Sequence, residues 1–245
     1  MFKNGSFSDG WDDMPPTDSF LINQQPKNWT LTWVEPGDPL FGSGDTAQGV
    51  PECVHKLSGQ LPPNEQLGGS DALILAGDAT YKIFSAGEPF GVELSQTVTG
   101  LKAGTQGELV VPVFVDLHGE TDPFGAESGA WVNGEGGWAN GGEMGNRTWF
   151  RHTIPFTVPD SGTADIVIRV KSKWPRAKDF FIDGVTLEVE ENIVEELPDD
   201  SIIVSKTAVT LHLPAGLNLQ LVTTTCHTPG VVVVSLPEGV NVEIK

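Results

Sequence analysis

Apolar and polar residues alternate with a period of two along much of this chain. Val92, Leu94, Gln96 and Val98 share one face of a stretch whose other face is Glu93, Ser95 and Thr97. Ile166, Ile168 and Val170 stand opposite Val167, Arg169 and Lys171 in the same way. Successive side chains of a β-strand point to opposite faces, so each stretch reads as a strand with one buried side. The same reading predicts strands over 29–35, 52–57, 72–76, 80–85, 91–98, 108–117, 128–132, 148–158, 164–173 and 180–189. No segment makes a convincing helix. Ten or more short strands separated by Gly and Pro turns predict an all-β sandwich or jelly roll.

Residues 191–200 break the pattern with an acidic run holding Pro198, which reads as a linker. The main domain is then residues 1–190. Residues 201–245 form a small β unit of about five short strands, 201–204, 208–213, 219–224, 231–234 and 240–244, split by Pro-Ala-Gly, Thr-Pro-Gly and Pro-Glu-Gly turns. So small a unit leaves faces and edges uncovered, and self-association through it is a further expectation.

Composition narrows the function. The chain has 245 residues, enough to bury a core without staples. Its 14 Lys and Arg face 33 Asp and Glu, a net charge of −19. A polyanion such as DNA is repelled by such a surface, so no nucleic-acid partner is expected. Acidity also suits extracellular proteins that hold hard cations through oxygen ligands. Cys53 and Cys226 lie in different units and make neither a disulfide scaffold nor a metal knuckle. No apolar run approaches about 20 residues, so no membrane span is expected. No signal peptide is visible at Met1, and the expected location is secreted or on a cell or virion surface.

Two motifs bracket the main domain. The chain opens Asn4-Gly5-Ser6-Phe7-Ser8-Asp9-Gly10-Trp11 and closes the domain with Phe180-Phe181-Ile182-Asp183-Gly184-Val185-Thr186-Leu187-Glu188. Both read as strands, and the expectation is that they lie near each other. With Ser95-Gln96-Thr97-Val98-Thr99-Gly100-Leu101 between them, they resemble the jelly-roll carbohydrate-binding modules of the group around families 4, 9, 16 and 22, the galactose-binding-domain-like group, over residues 1–190. The resemblance implies a sandwich that binds glycans without transforming them. It also implies a structural Ca²⁺ between the first and last strands, with Asp183 as the acidic ligand and carbonyls near Asn4 and Ser6. The family's first-strand acid follows the Phe directly, and here that position is Ser8, with Asp9 one residue later.

Sugars are recognised by aromatic faces and by polar side chains that bond hydroxyls. Trp138, in a Gly-rich stretch from 119 to 145 that reads as a long functional loop, is the first candidate. Trp174, beside Pro175, is the second, and Trp131 lines a groove or fills the core. Glu120, Glu127, Asn140 and Arg151 are polar candidates. Trp29, Trp33 and Trp149 are expected in the core. Arg169, Lys171, Lys173, Arg176 and Lys178 crowd five basic residues into ten positions, either a solvated face paired with acids or a patch for an acidic glycan.

The reading is therefore a non-catalytic module that binds a polysaccharide or oligosaccharide. One alternative is a structural or adhesive subunit of a surface, fibre or viral coat. Another is a glycan-active enzyme using two of Glu120, Asp122, Glu127, Glu135 and Glu143, since glycosidases need paired carboxylates. No nucleophile elbow, phosphate loop or dinucleotide fingerprint is present.

Overall fold

A computed structural model describes residues 1–15, 21–34 and 47–190, and the backbone of two short strands at 202–205 and 231–234. The chain divides into two compact units, Met1–Glu191 and Asn192–Lys245. The first unit is an antiparallel jelly-roll sandwich. Its strands are β1 (Trp11–Asp13), β2 (Gln24–Pro26), β3 (Thr30–Trp33), β4 (Glu52–Leu57), β5 (Ala79–Ser85), β6 (Phe90–Thr99), β7 (Gln106–Asp116), β8 (Ala126–Val132), β9 (Glu135–Asn140), β10 (Trp149–Thr157), β11 (Thr163–Ser172), β12 (Lys178–Ile182) and β13 (Thr186–Val189). One sheet runs β10-β7-β12-β5-β4, with β13 also on β7, and the other runs β3-β6-β11-β8-β9. Strands β1 and β2 form a separate ribbon.

The alternation read from the sequence gives the sheets their inner faces. Val92, Leu94 and Val98 of β6 and Ile166, Ile168 and Val170 of β11 meet Leu109, Val111, Val113 and Val115 of β7 in one core. Phe7 is fully buried, stacked between Trp29 at 5.8 Å and Tyr81 at 5.5 Å. Each such side chain contributes roughly 1.5–3 kcal/mol by leaving water. Cys53 is a free thiol in this core, and burial pushes it up to about 12; Cys226 lies outside the described residues.

Several expected elements differ. The opening motif is not a strand: Asn4 and Phe7 both sit at φ +53, and residues 5–7 turn. The motifs do meet, because Val185 N–H donates to Gly5 O at 2.9 Å. The closing motif is two strands, β12 and β13, pairing with successive parts of β7 and broken at Asp183-Gly184, where Gly184 has φ +66. Residues 72–76 are irregular rather than a strand. Leu73 and Ile74 are apolar because they are buried, Leu73 against Phe114 and Phe181, while Leu75 and Ala76 donate to a side chain, not to a neighbouring strand.

The expected long loop contains strand β9, paired with β8 from Glu127↔Asn140 to Val132↔Glu135. The two-residue turn is Asn133-Gly134, both at positive φ (52 and 82), the pairing favoured for tight hairpins. A one-turn helix, α1 (Gly141–Met144), follows. In the second unit, strands β14 (Ile202–Ser205) and β15 (Val231–Val234) pair antiparallel. The other tail strands expected from the sequence lie outside the described residues. No helix among the described residues is long and apolar enough to cross a membrane.

Candidate functional site

The outer face of the β3-β6-β11-β8-β9 sheet carries Trp131 and Trp138, two aromatic residues outside the buried core. Pairing sets its rows. Glu93, Arg169, Gly129 and Trp138 stand side by side on β6, β11, β8 and β9. The next row holds Lys171, Glu127 and Asn140, and the row on the other side holds Ser95, Val167, Trp131 and Gly136. Gly129 lacks a side chain between Arg169 and Trp138, and the Trp131 ring lies across that gap; a Cβ at Gly129 would meet Trp131 Cη2 at 2.3 Å. Trp131 and Trp138 therefore meet edge to face, with centroids 5.2 Å apart and planes at 78°, a preferred aromatic geometry.

Trp138 is 37% exposed, the most open tryptophan on this face, because β9 is an edge strand and the residues beside Trp138 are the small Gly137 and Ala139. Cations flank both rings. The Arg169 guanidinium lies 4.9 Å from the Trp131 centroid, and Lys171 Nζ lies 4.6 Å from that of Trp138. Arg169 is held by Glu93 at 2.8 Å. Glu127 receives Lys171 on Oε2 and Lys173 on Oε1, each at 2.8 Å. A hollow of about 490 Å³ opens beside Trp131, lined also by Asn133, Ser161, Asp165, Val167 and Arg169.

Trp131, Trp138 and Glu127 are thus brought together. Trp174 lies beyond the end of β11, near the Lys173 ammonium at 5.9 Å. It is half-buried, its ring covers Gly125, and its Nε1–H donates to Glu120 Oε1 at 2.7 Å. Glu120 Oε2 in turn pairs at 2.8 Å with Lys178, which is fully buried. Trp174 and Glu120 therefore close the end of the sandwich, beside a second hollow of about 630 Å³ lined by His118, Glu120, Asp122 and Arg176. Asn140 is a helix cap: its Oδ1 accepts from Gly142 and Glu143 N–H, and Glu143 Oε2 accepts from Asn140 N–H. Arg151 is exposed on β10 of the other sheet, away from this face. Sequence reasoning did not see β9 or its pairing with Trp131. The Asn133-Gly134 dipeptide was the available signal.

The loop acids considered for catalysis are mostly engaged. Glu120 and Glu127 are ion-paired, Glu143 closes the helix cap, and Asp122 accepts from Phe124 N–H at 3.0 Å.

The oxygens expected to hold Ca²⁺ face donors instead. Asp183 is fully buried; its Oδ2 accepts from Leu75 N–H at 2.5 Å and Ala76 N–H at 3.1 Å, and its Oδ1 from Gly184 N–H at 2.7 Å. The Asn4 carbonyl accepts from Trp29 Nε1–H and Phe7 N–H. The Ser6 carbonyl accepts from Ser8 Oγ–H at 3.1 Å. Ca²⁺ takes six to eight oxygen ligands, and N–H groups aimed at both carboxylate oxygens present positive charge where the cation would sit. The arrangement around Asp183, Asn4 and Ser6 does not fit that ion. No group of three or more His, Cys, Asp or Glu that could hold a metal occurs among the described residues.

No family model matches the chain, and no curated protein does. Carbohydrate-binding modules recur among similar solved structures. A family 61 module in complex with β-1,4-galactotriose aligns with a TM-score of 0.46 at 17% identity, covering 77% of this chain and 97% of that one. A family 4 module aligns at 0.36 and 14% identity, over 77% and 99%. The enzymatically active domain of tailspike protein 4 from bacteriophage CBA120 aligns at 0.45 and 14% identity, over 77% of this chain and 21% of that one.

Proposed function

We propose that this protein is a non-catalytic carbohydrate-binding sandwich, acting outside the cell or on a surface, whose ligand lies across the sheet face at Trp131 and Trp138. The observation that carries the reading is Trp138 itself. A large aromatic side chain stands on an edge strand between Gly137 and Ala139, propped edge-on by Trp131 and exposed where no core needs it. A pyranose ring presents an apolar C–H face to such an indole and its hydroxyls to the polar groups beside it. Glu127, Lys171 and Arg169 supply those groups; the Lys171–Glu127 and Arg169–Glu93 ion pairs hold them in place before ligand arrives. Pre-set side chains lose less conformational freedom on binding. The engaged state of Glu120, Glu127 and Glu143 supports binding over hydrolysis.

A glycan array followed by titration calorimetry tests the reading. Trp138→Ala is expected to weaken binding of the captured glycan at least tenfold, while Arg151→Ala, on the other sheet, leaves it unchanged. Equal affinity of wild type and Trp138→Ala would remove this face from consideration.

A further inference from the structure

Past Trp131 the outer face runs into the hollow of about 490 Å³, a size within the roughly 300–1,000 Å³ of small-ligand sites. Three residues of β11 line it in sequence: Arg169 beside Trp131, then Val167, then Asp165 beside the turn at Asn133-Gly134. Alternation puts all three on one face. The Cα atoms of Arg169 and Asp165 are therefore about 13 Å apart, at roughly 3.3 Å per residue along a strand.

Both ends of the hollow are fixed. Asp165 N–H donates to Asn133 Oδ1 at 2.9 Å, and Asn133 N–H donates to the Asp165 carbonyl at 2.9 Å. From the neighbouring β6, Thr97 Oγ1–H donates to Asp165 Oδ1 at 2.7 Å. Oδ2 has no donor and the carboxylate no cation among the described residues. Arg169 Nε donates to Glu93 at 2.8 Å, and the guanidinium lies 4.9 Å from the Trp131 centroid. Glu93 thus balances the Arg169 charge, and the Arg169 Nη groups have no acceptor among the described residues. The hollow offers a hydroxyl acceptor at one end, hydroxyl donors at the other and an aliphatic side chain between them. Its formal charge is negative.

We propose that this hollow is a second sugar subsite for the ligand held at Trp138, and that it takes an uncharged ring with free hydroxyls. One hydroxyl donates to Asp165 Oδ2, another accepts from an Arg169 Nη N–H, and the C–H face of the ring lies on Val167. This rests on the carbohydrate reading above and adds the length and the charge of the ligand. Trp138 stands in the row of Arg169, so a glycan touching both Trp138 and Asp165 is longer than a single ring. A hydroxyl bonded to an ionised carboxylate makes a bond roughly twice as strong as a neutral one. A carboxylated ring sets a like charge against Asp165 and is rejected.

Calorimetry with oligosaccharides of xylan, β-1,4-galactan and β-glucan, from disaccharide to hexasaccharide, tests the length. In at least one series wild-type affinity is expected to rise about tenfold once the chain reaches past Trp138, the effect of one hydrogen bond to a charged group. Asp165→Ala is expected to flatten that series. The same three polymers against their carboxymethyl derivatives test the charge. Wild type is expected to favour the uncharged member about tenfold. Asp165→Asn, which keeps the shape and a hydroxyl acceptor, is expected to narrow that preference to about threefold, with thermal unfolding of both variants showing that the fold is kept. A length gain that survives in Asp165→Ala, a charge preference undiminished in Asp165→Asn, or tighter wild-type binding of the carboxymethyl polymers would overturn the proposal. If oligosaccharides bind through Trp138 with no gain from length, the subsite falls and the carbohydrate reading stands. If nothing in the panel binds, both fall.

Discussion

Replacing Asp183 with Asn removes one ionisable group from the interior while keeping its size. Burial pushes the Asp183 carboxyl from 3.8 up to about 7, against the N–H bonds from Leu75, Ala76 and Gly184 that pull it back. The folded chain then holds this proton more tightly than the unfolded one. Its contribution to stability is complete below about pH 4 and is lost as pH rises through 7. A pKa difference of this size corresponds to about 4 kcal/mol, at roughly 1.4 kcal/mol for each tenfold change in proton affinity. Asp183→Asn cannot titrate, so the wild-type minus variant difference in unfolding free energy should fall by about that amount between pH 4 and 7. Urea titrations at half-unit pH steps, read by tryptophan fluorescence, measure it. The difference profile isolates Asp183 from histidines that titrate over the same range. A difference that is flat with pH, or one that grows on raising pH, would refute the reasoning. The second result would mean that the three N–H donors dominate over burial.

Three further outcomes are expected. Because donors face the oxygens of Asp183, Asn4 and Ser6, neither excess chelator nor millimolar Ca²⁺ should move the melting temperature; a calcium-dependent rise of several degrees would contradict this. His55 and His152 are both lowered to about 4 by burial. Each therefore stabilises the fold fully above pH 6.5 and loses on the order of 3 kcal/mol as pH falls through 4. His152→Gln, which keeps a partner for Ser128 Oγ now 2.8 Å from the imidazole, should flatten that acid limb, and an unchanged limb would refute the assignment. Gly125→Ala places a Cβ 2.2 Å from the Trp174 ring; overpacking of this kind costs about 1–3 kcal/mol. It should lower the denaturation midpoint while leaving glycan affinity at Trp138 intact, and a neutral effect on stability would show that Trp174 is not a packed closure.

Much of the fold was legible because its cause is local. The period-two pattern in 92–98 and 166–170 identified the strands with one buried face. The first compact unit ends at Glu191. Where cause was not local, reading failed in identifiable ways. Residues 72–76 are apolar enough for a strand, yet two of their N–H groups are taken by Asp183, 107 and 108 positions away. Residues 135–140 are too rich in glycine to look like a strand, and they are one because Asn133-Gly134 folds them back onto β8.

The candidate site divides along the same line. Trp138 was conspicuous as an aromatic without apolar neighbours in sequence, and five basic residues between 169 and 178 were conspicuous in an acidic chain. Composition and spacing determined that those groups exist and that the strand over 164–173 carries Arg169 and Lys171. Tertiary structure alone decided their company. Strand pairing placed Gly129 between Arg169 and Trp138 and laid Trp131 across the gap. It sent Arg151 to the other sheet, turned Trp174 and Glu120 into a closure over Gly125, and set Lys171 and Lys173 against Glu127. Sequence alternation specifies which side of a strand is wet. Which wet side chains become neighbours depends on register between strands far apart in the chain, and that is settled only when the core they share has formed.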